Sequence, residues 1–486
     1  MVKHASLPVD FKPIKFGTDG WRGVIAADFT FARVALVAAV AAHVLAEVYG
    51  PTTNSRTVII GYDRRFLAED FARSAAQALQ GAGFDVLLSE TYAPTPAFSW
   101  YANAQKALGA IVLTASHNPA AYLGLKVKGA FGGSVPPEVT KIIEAKLDSP
   151  LPPAIAPGKI EKFNIWPSYC EMLRQKVDIA AIRDSIAAGK ITVFADVMHG
   201  AASGGLGQIL GMPIEEINGN RDPLFDSGAP EPLPRYLSQL FRLIRTRGRQ
   251  QPHSLSVGLV FDGDADRIAA VDSQGNFLSS QVLIPILIQH LVQYHRLTGE
   301  VVKTVSGSDL IPRVAKLYHL PLFETAIGYK YIADRMLTTQ VLIGGEESGG
   351  VGYGTHVPER DALLSALYTI EAIVKSGKDL TQLYTALQNQ TDYHFVYDRI
   401  DLPLASMEVR AKLLDKLEKS PLTEIDGRTV LNCLTVDGYK FQLADYSWLL
   451  IRFSGTEPVL RLYCEAPTMQ QVRSTLAWAS SWANSV

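Results

Sequence analysis

Short, continuous apolar runs recur along this chain, separated by longer stretches whose apolar residues fall three and four positions apart. The first pattern predicts buried strands, the second amphipathic helices. Thr57 to Gly61 reads as a strand, Ala68 to Gln80 as a helix and Phe84 to Leu88 as the next strand. Leu108-Gly-Ala-Ile-Val-Leu113, Ile191 to Ala195, Leu255 to Phe261, Val301 to Val305 and Val341 to Ile343 are further buried strands. Such alternation is the signature of βαβ units and an α/β fold. Val34 to Val48 is the most apolar segment; His43 and Glu47 interrupt it, and it is expected to be a buried helix too short to span a bilayer.

The pattern also marks boundaries. Pro150 to Pro157 reads as a linker, and Ser273-Gln-Gly275 as a second break before an apolar helix from Gln281 to Tyr294. Beyond Gln390 the character changes: Tyr393 to Leu402 and Trp448 to Tyr463 read as paired strands, with helices around 406–419 and 468–482. The expected division is four domains, 1–162, 163–276, 277–390 and 391–486, the last a smaller α+β domain. A chain of 486 residues is too long for one core, which fits.

Charge and cysteine content narrow the function classes. Lysine plus arginine against aspartate plus glutamate gives 46 − 48 = −2, so no global field attracts nucleic acid or an anionic membrane, and neither is an expected partner. Cys170, Cys433 and Cys464 are odd in number and widely spaced, which suits reduced thiols better than a disulfide framework or zinc site. Met1 to Lys15 lacks the apolar stretch of a signal peptide, and the expectation is a cytoplasmic protein.

Two segments carry the candidate chemistry. Thr114-Ala-Ser-His-Asn-Pro119 follows the strand 108–113, so a serine and a histidine stand side by side in a loop at a strand's carboxyl end. Asp262-Gly-Asp-Ala-Asp-Arg267 likewise follows the strand ending at Phe261. A serine alone in a loop is usually a turn or helix cap. The aspartates are not an EF-hand, which needs glycine at its sixth position and glutamate at its twelfth, where this chain has Arg267 and Ser273. Alternation on an extended segment is expected to point Asp262, Asp264 and Asp266 to one side. Three such carboxylates repel one another unless a cation neutralises them, and oxygen-only ligation favours Mg²⁺ or Mn²⁺. A hydroxyl nucleophile beside a hard cation suggests metal-assisted chemistry on a phosphate.

Two further loops place polar groups among glycines. Gly344-Gly-Glu-Glu-Ser-Gly-Gly350 suits hydrogen bonding to sugar hydroxyls, although a flexible turn explains its composition equally well. Arg452-Phe-Ser-Gly-Thr-Glu-Pro458 offers a guanidinium, two hydroxyls and a run of amides, suited to a phosphate dianion or to a plain hairpin turn. No Walker A sequence, Gly-x-Ser-x-Gly elbow or His-Glu-x-x-His motif is present, and Gly205-Leu-Gly207 lacks the third glycine of a dinucleotide fingerprint.

Together with Phe16-Gly-Thr-Asp-Gly-Trp-Arg-Gly23, these four segments in this order resemble the α-D-phosphohexomutase family over essentially the whole chain. The resemblance implies four domains around a central cleft: three similar α/β domains with mixed sheets, then a smaller C-terminal α+β domain. It implies that Ser116 carries a phosphoryl group, and that Asp262, Asp264 and Asp266, with the Ser116 phosphate, hold one Mg²⁺. Arg22, Lys126 and Arg267 would surround the transferring group, with His117 and Lys330 as proton carriers. Glu346 and Ser348 would hold ring hydroxyls, while Arg452, Ser454, Gly455 and Thr456 bind the phosphate that is not transferred. The partner is then a phosphorylated hexose, with glucose 1,6-bisphosphate as intermediate and activator, and the expected state is a monomer or weak dimer. Gly345-Glu-Glu-Ser348 and Gly328-Tyr-Lys330 resemble glucose-preferring members. Gly349-Gly350 departs from the animal-type pattern and leaves a dual glucose/mannose activity open. The alternatives are phosphomannomutase, sugar-bisphosphate synthase, sugar phosphatase and a non-catalytic phosphosugar-binding relative.

Overall fold

The apolar runs become the inner strands of the sheets. A computed structural model describes residues 12–17, 19–454 and 458–485. The chain forms two units, one of residues up to 278 with 336–338 and 349–379, the other of 279–335, 339–348 and 380–486.

In the first unit, Thr57–Tyr62 pairs in parallel with Asp85–Ser89 on one side and Gly109–Leu113 on the other. The chain reaches those two neighbours in succession, so the sheet order reverses at Thr57–Tyr62. Loops leaving the carboxyl ends of strands at such a switch point face a ready-made crevice. Here they are Asp63–Arg65 and Thr114–Pro119. Tyr122–Gly129 and Gly20–Val24 add antiparallel strands, making a mixed seven-stranded sheet whose far edge is Ile160–Phe163. The proline-rich segment before that edge strand is exposed coil.

The apolar helix spans Phe31–Thr53, 23 residues, so it is longer than the sequence reading expects and by length and composition would suffice to cross a bilayer. It is instead a core element. Nine of its residues between Val34 and Leu45 are buried, and eight of these share one cluster with Trp21, Phe29 and Phe71. Each buried valine or leucine contributes about 1.5–3 kcal/mol. The Thr30 hydroxyl caps the helix by accepting from the Arg33 amide at 3.4 Å.

A second mixed sheet of five strands holds Ile191–Asp196 parallel to Leu255–Phe261, which turns into the antiparallel strand Ile268–Val271. Phe261 lies opposite Ile268, so residues 262–267 are the hairpin loop. Helix Ala362–Ser376 packs on helix Ile179–Ala187 in the same unit, and its cap, Asp361, accepts from the Leu364 amide at 2.9 Å.

In the second unit Glu300–Thr304 lies parallel to Leu322–Thr325 and to Val341–Gly345. The carboxyl-terminal part is a six-stranded antiparallel sheet with helices Met407–Lys419 and Met469–Ala483, an α+β arrangement. Glu465, 1% exposed, anchors the two parts to each other. Its carboxylate accepts from the Asp309 amide at 2.8 Å, Trp448 Nε1 at 2.8 Å and the Tyr393 hydroxyl at 3.0 Å. A buried carboxylate is tolerated only with such complete hydrogen bonding.

Candidate active site

The strand Gly109–Leu113 delivers Ser116 into a strained turn. Ser116 has φ 52°, a left-handed conformation costing a non-glycine residue about 1–2 kcal/mol. Its amide donates to Thr114 Oγ1 at 2.9 Å, and the guanidinium of Arg65, fully buried, donates to its carbonyl at 2.6 Å. The turn aims Oγ inward, 2.8 Å from Asp262 Oδ2 and 3.3 Å from His117 Nδ1.

Asp262, Asp264 and Asp266 do converge, but not through strand alternation. The strand ends at Phe261, and the aspartates occupy a turn in which Ala265 is left-handed, φ 56°. Asp262 builds that turn itself: Oδ1 accepts from the amides of Asp266 at 3.0 Å and Arg267 at 3.1 Å, displacing ladder pairing. All three carboxylates are buried, with oxygens within 4.8 Å of one another.

Two buried cations divide the remaining load. Lys126 Nζ donates to Asp264 Oδ2 at 2.8 Å and Asp266 Oδ2 at 3.0 Å, and lies 2.7 Å from Asp19 Oδ2. Arg360 donates to Asp266 Oδ2 at 2.6 Å and Asp19 Oδ2 at 3.0 Å. Burial alone would lower the Lys126 pKa, but Asp19, Asp264 and Asp266 prevail and hold it above the ordinary lysine range. Burial would likewise raise Asp266, yet Arg360, Lys126 and Arg267 keep it below the carboxylate range. Thr95, at the start of helix Thr95–Ala104, donates to Asp264 Oδ2 at 2.5 Å.

Among the described residues Asp262 has no ion pair of its own, and the Arg267 charge only partly offsets its burial. Burial, then Asp266 and Asp264, push Asp262 well above its ordinary pKa. Oδ1 of Asp264 and of Asp266 are buried and accept no hydrogen bond among the described residues. A carboxylate without an ion pair among these residues, two unsatisfied oxygens and an all-oxygen donor set fit a hard divalent cation.

The other sequence candidates in this unit gather here. Arg22, opposite Gly124 in the sheet, donates through Nη1 to Asn118 Oδ1 at 2.5 Å; Arg267 Nε lies 3.9 Å from Asp266 Oδ1. Burial, then the charges of Arg267 and Arg22, push the His117 imidazole down to about 2, so it stays neutral at physiological pH.

Five of the described candidates lie in the second unit. Arg452 Nε donates to Asp437 Oδ2 at 3.0 Å, and the same oxygen accepts from the Ile327 amide at 3.0 Å. Thus Asp437 ties the turn before Lys330 to the Arg452 loop. Ser454 is buried, and its carbonyl accepts from Arg410 Nε at 2.8 Å. Ser280 Oγ donates at 2.8 Å to the carbonyls of both Glu346 and Glu347, fixing the backbone that leads to Ser348. Lys330, on helix Tyr329–Thr338, places Nζ 4.7 Å from the Tyr331 ring centroid. Gly455 and Thr456 lie outside the described residues.

Asp19, Arg65, Thr95 and Arg360 escaped the sequence reading. Arg65 had a usable signal, because it follows the strand Thr57–Tyr62 just as the serine loop follows its neighbour. Asp19 stands inside the motif 16–23, three residues before Arg22. Arg360, 94 residues from the nearest of the aspartates, had none.

Models of the phosphoglucomutase/phosphomannomutase family match in order: alpha/beta/alpha domain I at residues 13–151, domain II at 167–275, domain III at 279–391 and the C-terminal domain at 408–477. The chain belongs to the α-D-phosphohexomutase family. It is a phosphohexomutase, an intramolecular phosphotransferase of the isomerase class. Its relatives include a phosphoglucomutase/phosphomannomutase of Thermococcus kodakarensis, 29% identical over 95% of this chain and 96% of that one. A phosphoglucosamine mutase of a Thermotoga species is 28% identical, covering 94% and 96%. Among solved structures, a Thermus thermophilus protein assigned as a phosphomannomutase is 33% identical with a TM-score of 0.82, covering 98% of this hexomutase and 100% of its own chain.

Proposed function

We propose that this hexomutase interconverts glucose 1-phosphate and glucose 6-phosphate by way of a phosphorylated Ser116 and glucose 1,6-bisphosphate, the latter also serving as activator. The observation that carries this reading is the position of Ser116 Oγ, 2.8 Å from Asp262 Oδ2, against a carboxylate cluster with two unsatisfied oxygens. Phosphoryl transfer asks a protein mainly to position groups and to balance charge, and this cluster is built for both.

Asp262, Asp264 and Asp266 would hold one Mg²⁺, which when bound draws charge from the phosphoryl group on Ser116. In the forward direction, phosphorylated Ser116 gives its phosphoryl group to the free sugar hydroxyl, breaking its own O–P bond. The sugar hydroxyl loses its proton as the new O–P bond forms, and the freed Ser116 Oγ gains one. His117, with Nδ1 3.3 Å from Oγ, passes that proton across without retaining it. After the bisphosphate turns over, Ser116 Oγ takes the other phosphoryl group and is restored. Arg22 and Arg267 supply donors to the phosphoryl oxygens. Lys126 spends its three donors on Asp19, Asp264 and Asp266, and so acts by holding the carboxylates in place.

In the second unit, Arg452, Ser454, Gly455 and Thr456 bind the phosphate that is not transferred. Glu346 and Ser348 bind ring hydroxyls, and Lys330 carries a proton. Glucose is favoured by the pattern Gly345-Glu-Glu-Ser348. A dual glucose/mannose activity is the second reading, favoured by the name of the Thermococcus relative. Epimers differ at one hydroxyl and are separated by a few hydrogen bonds. The deciding experiment compares kcat/KM on the 1-phosphates of glucose, mannose and glucosamine, with Mg²⁺ and the matching bisphosphate. Glucose 1-phosphate should lead; a lead for either of the others overturns the glucose reading.

A further inference from the structure

Arg65 is the most fully used side chain near Ser116, yet none of its atoms is placed to meet a substrate. It is 0% exposed. Nη2 donates to the carbonyls of Ser116 and Asn118, each at 2.6 Å, and Nη1 to those of Pro119 and Tyr122, each at 3.1 Å. Its amide donates to Asp63 Oδ1 at 2.9 Å, and Asp63 Oδ2 lies 3.4 Å from Nε. One planar fork therefore spans every turn of the loop from Ser116 to Tyr122, which a lysine ammonium could not do.

The guanidinium is also linked, through Phe225, to the loop that packs on the aspartates. Its Cζ lies 4.8 Å from the ring centroid of Phe225, itself 5% exposed. Phe225 belongs to the same connecting loop as Pro230, whose carbonyl accepts from the Gly263 amide at 3.2 Å. Gly263 in turn lies against the Ser116 carbonyl, the group that Arg65 grips. In the left-handed turn that carbonyl points into the protein while Oγ points at Asp262. If the carbonyl were released, the peptide could rotate and carry Oγ off that line.

We propose that Arg65 is a positioning residue for phosphoryl transfer, holding the Ser116 carbonyl inward so that Oγ stays aligned on the aspartate loop. The proposal rests on the reading of Ser116 as the phosphoryl carrier. It assigns to Arg65 the rate of transfer and not the binding of substrate.

The test uses the full chain with Mg²⁺ and glucose 1,6-bisphosphate, following phosphoryl uptake by intact-protein mass spectrometry and steady-state turnover of glucose 1-phosphate. Arg65→Lys should lower both the uptake rate and kcat about a hundredfold, the scale of an ångström-sized misplacement, with KM within about threefold of the parent. Guanidinium ion added to Arg65→Ala should restore part of kcat but not when added to Ser116→Ala. Phe225→Leu keeps the guanidinium while removing its stacking face. Should the arginine variants fail to fold, Phe225→Leu carries the test: a fall in kcat of about threefold or more at unchanged KM supports the proposal, and parental kcat overturns it. In folded Arg65→Lys, parental uptake and kcat overturn it, as does a rise in KM at unchanged kcat. Phosphoryl uptake by Ser116→Ala at the parental rate overturns the Ser116 reading itself, and the proposal with it.

Discussion

Gly263 and Ser116 touch so closely that a Cβ added to Gly263 would stand 2.4 Å from the Ser116 carbonyl oxygen. The serine loop and the aspartate loop are thus registered by backbone contact and not only through Ser116 Oγ and Asp262. Gly263→Ala should push the serine turn away from the aspartates. Overpacking of this kind costs about 1–3 kcal/mol of stability. We expect kcat to fall at least about tenfold in a folded protein, measured by steady-state kinetics beside a urea denaturation curve; unchanged kcat would mean that the contact does not set the geometry.

Lys126 supports the site by compensation. Lys126→Met would take from buried Asp264 its 2.8 Å ion pair and leave Asp19 and Asp266 with their other partners, Lys128, Arg360 and Arg267. Breaking a buried ion pair by removing one partner costs about 3–5 kcal/mol. Urea denaturation should show a loss of that size, and Mg²⁺ should recover part of it by supplying positive charge to the same carboxylates. A loss under about 1 kcal/mol would contradict the description of Lys126 as a buried counter-ion.

Cation binding is expected to show as stability before any assay of activity. A ligand specific for the folded state at a hundred times its Kd adds about 2.7 kcal/mol. Mg²⁺ should raise the Tm of the parent and leave Asp264→Asn nearly unmoved, since that change removes a ligand charge at almost constant volume. Chelation should abolish turnover, and Mg²⁺ should restore it. Equal Tm shifts in both proteins would place the cation elsewhere.

Most of the fold was legible because local pattern decides it. Strand Leu255–Phe261 sits where the apolar run puts it, and helix Ala68–Gly81 differs by one residue from the periodic stretch. The helix Phe31–Thr53 was underestimated because the apolar run ends at Val48, before Gly50 and Pro51, whereas the helix continues through them to the αL residue Asn54 that caps it. The placement of Ser116 and of the three aspartates in loops that follow apolar strands was also legible. Their mutual geometry was not: Ser116 and Asp262 are 146 residues apart, and the turn that gathers the aspartates is built by side-chain-to-backbone bonds that no periodicity reveals. Arg65 and Arg360 act on carbonyls and carboxylates brought near by the fold alone, so their roles exist only in three dimensions.

Arg452 offers a test of the second unit. Among the described residues, its one side-chain hydrogen bond is from Nε to Asp437. Losing a charge-assisted contact to phosphate costs about 1.5–3 kcal/mol, so Arg452→Ala should lower kcat/KM on glucose 1-phosphate roughly ten- to a hundredfold. Phosphoryl uptake by Ser116 from a saturating bisphosphate should persist. Parental kinetics in this variant would remove the Arg452 loop from substrate binding.

The central claim is that Ser116 carries the phosphoryl group, and peptide mapping tests it most directly. Protein mixed with glucose 1,6-bisphosphate and Mg²⁺ is quenched, digested and analysed by tandem mass spectrometry. The account predicts a single phosphoryl group on the peptide containing Thr114 to Pro119, assigned to Ser116, absent from Ser116→Ala together with all mutase turnover. A phosphoryl group at any other residue, or turnover by Ser116→Ala near that of the parent, would contradict it.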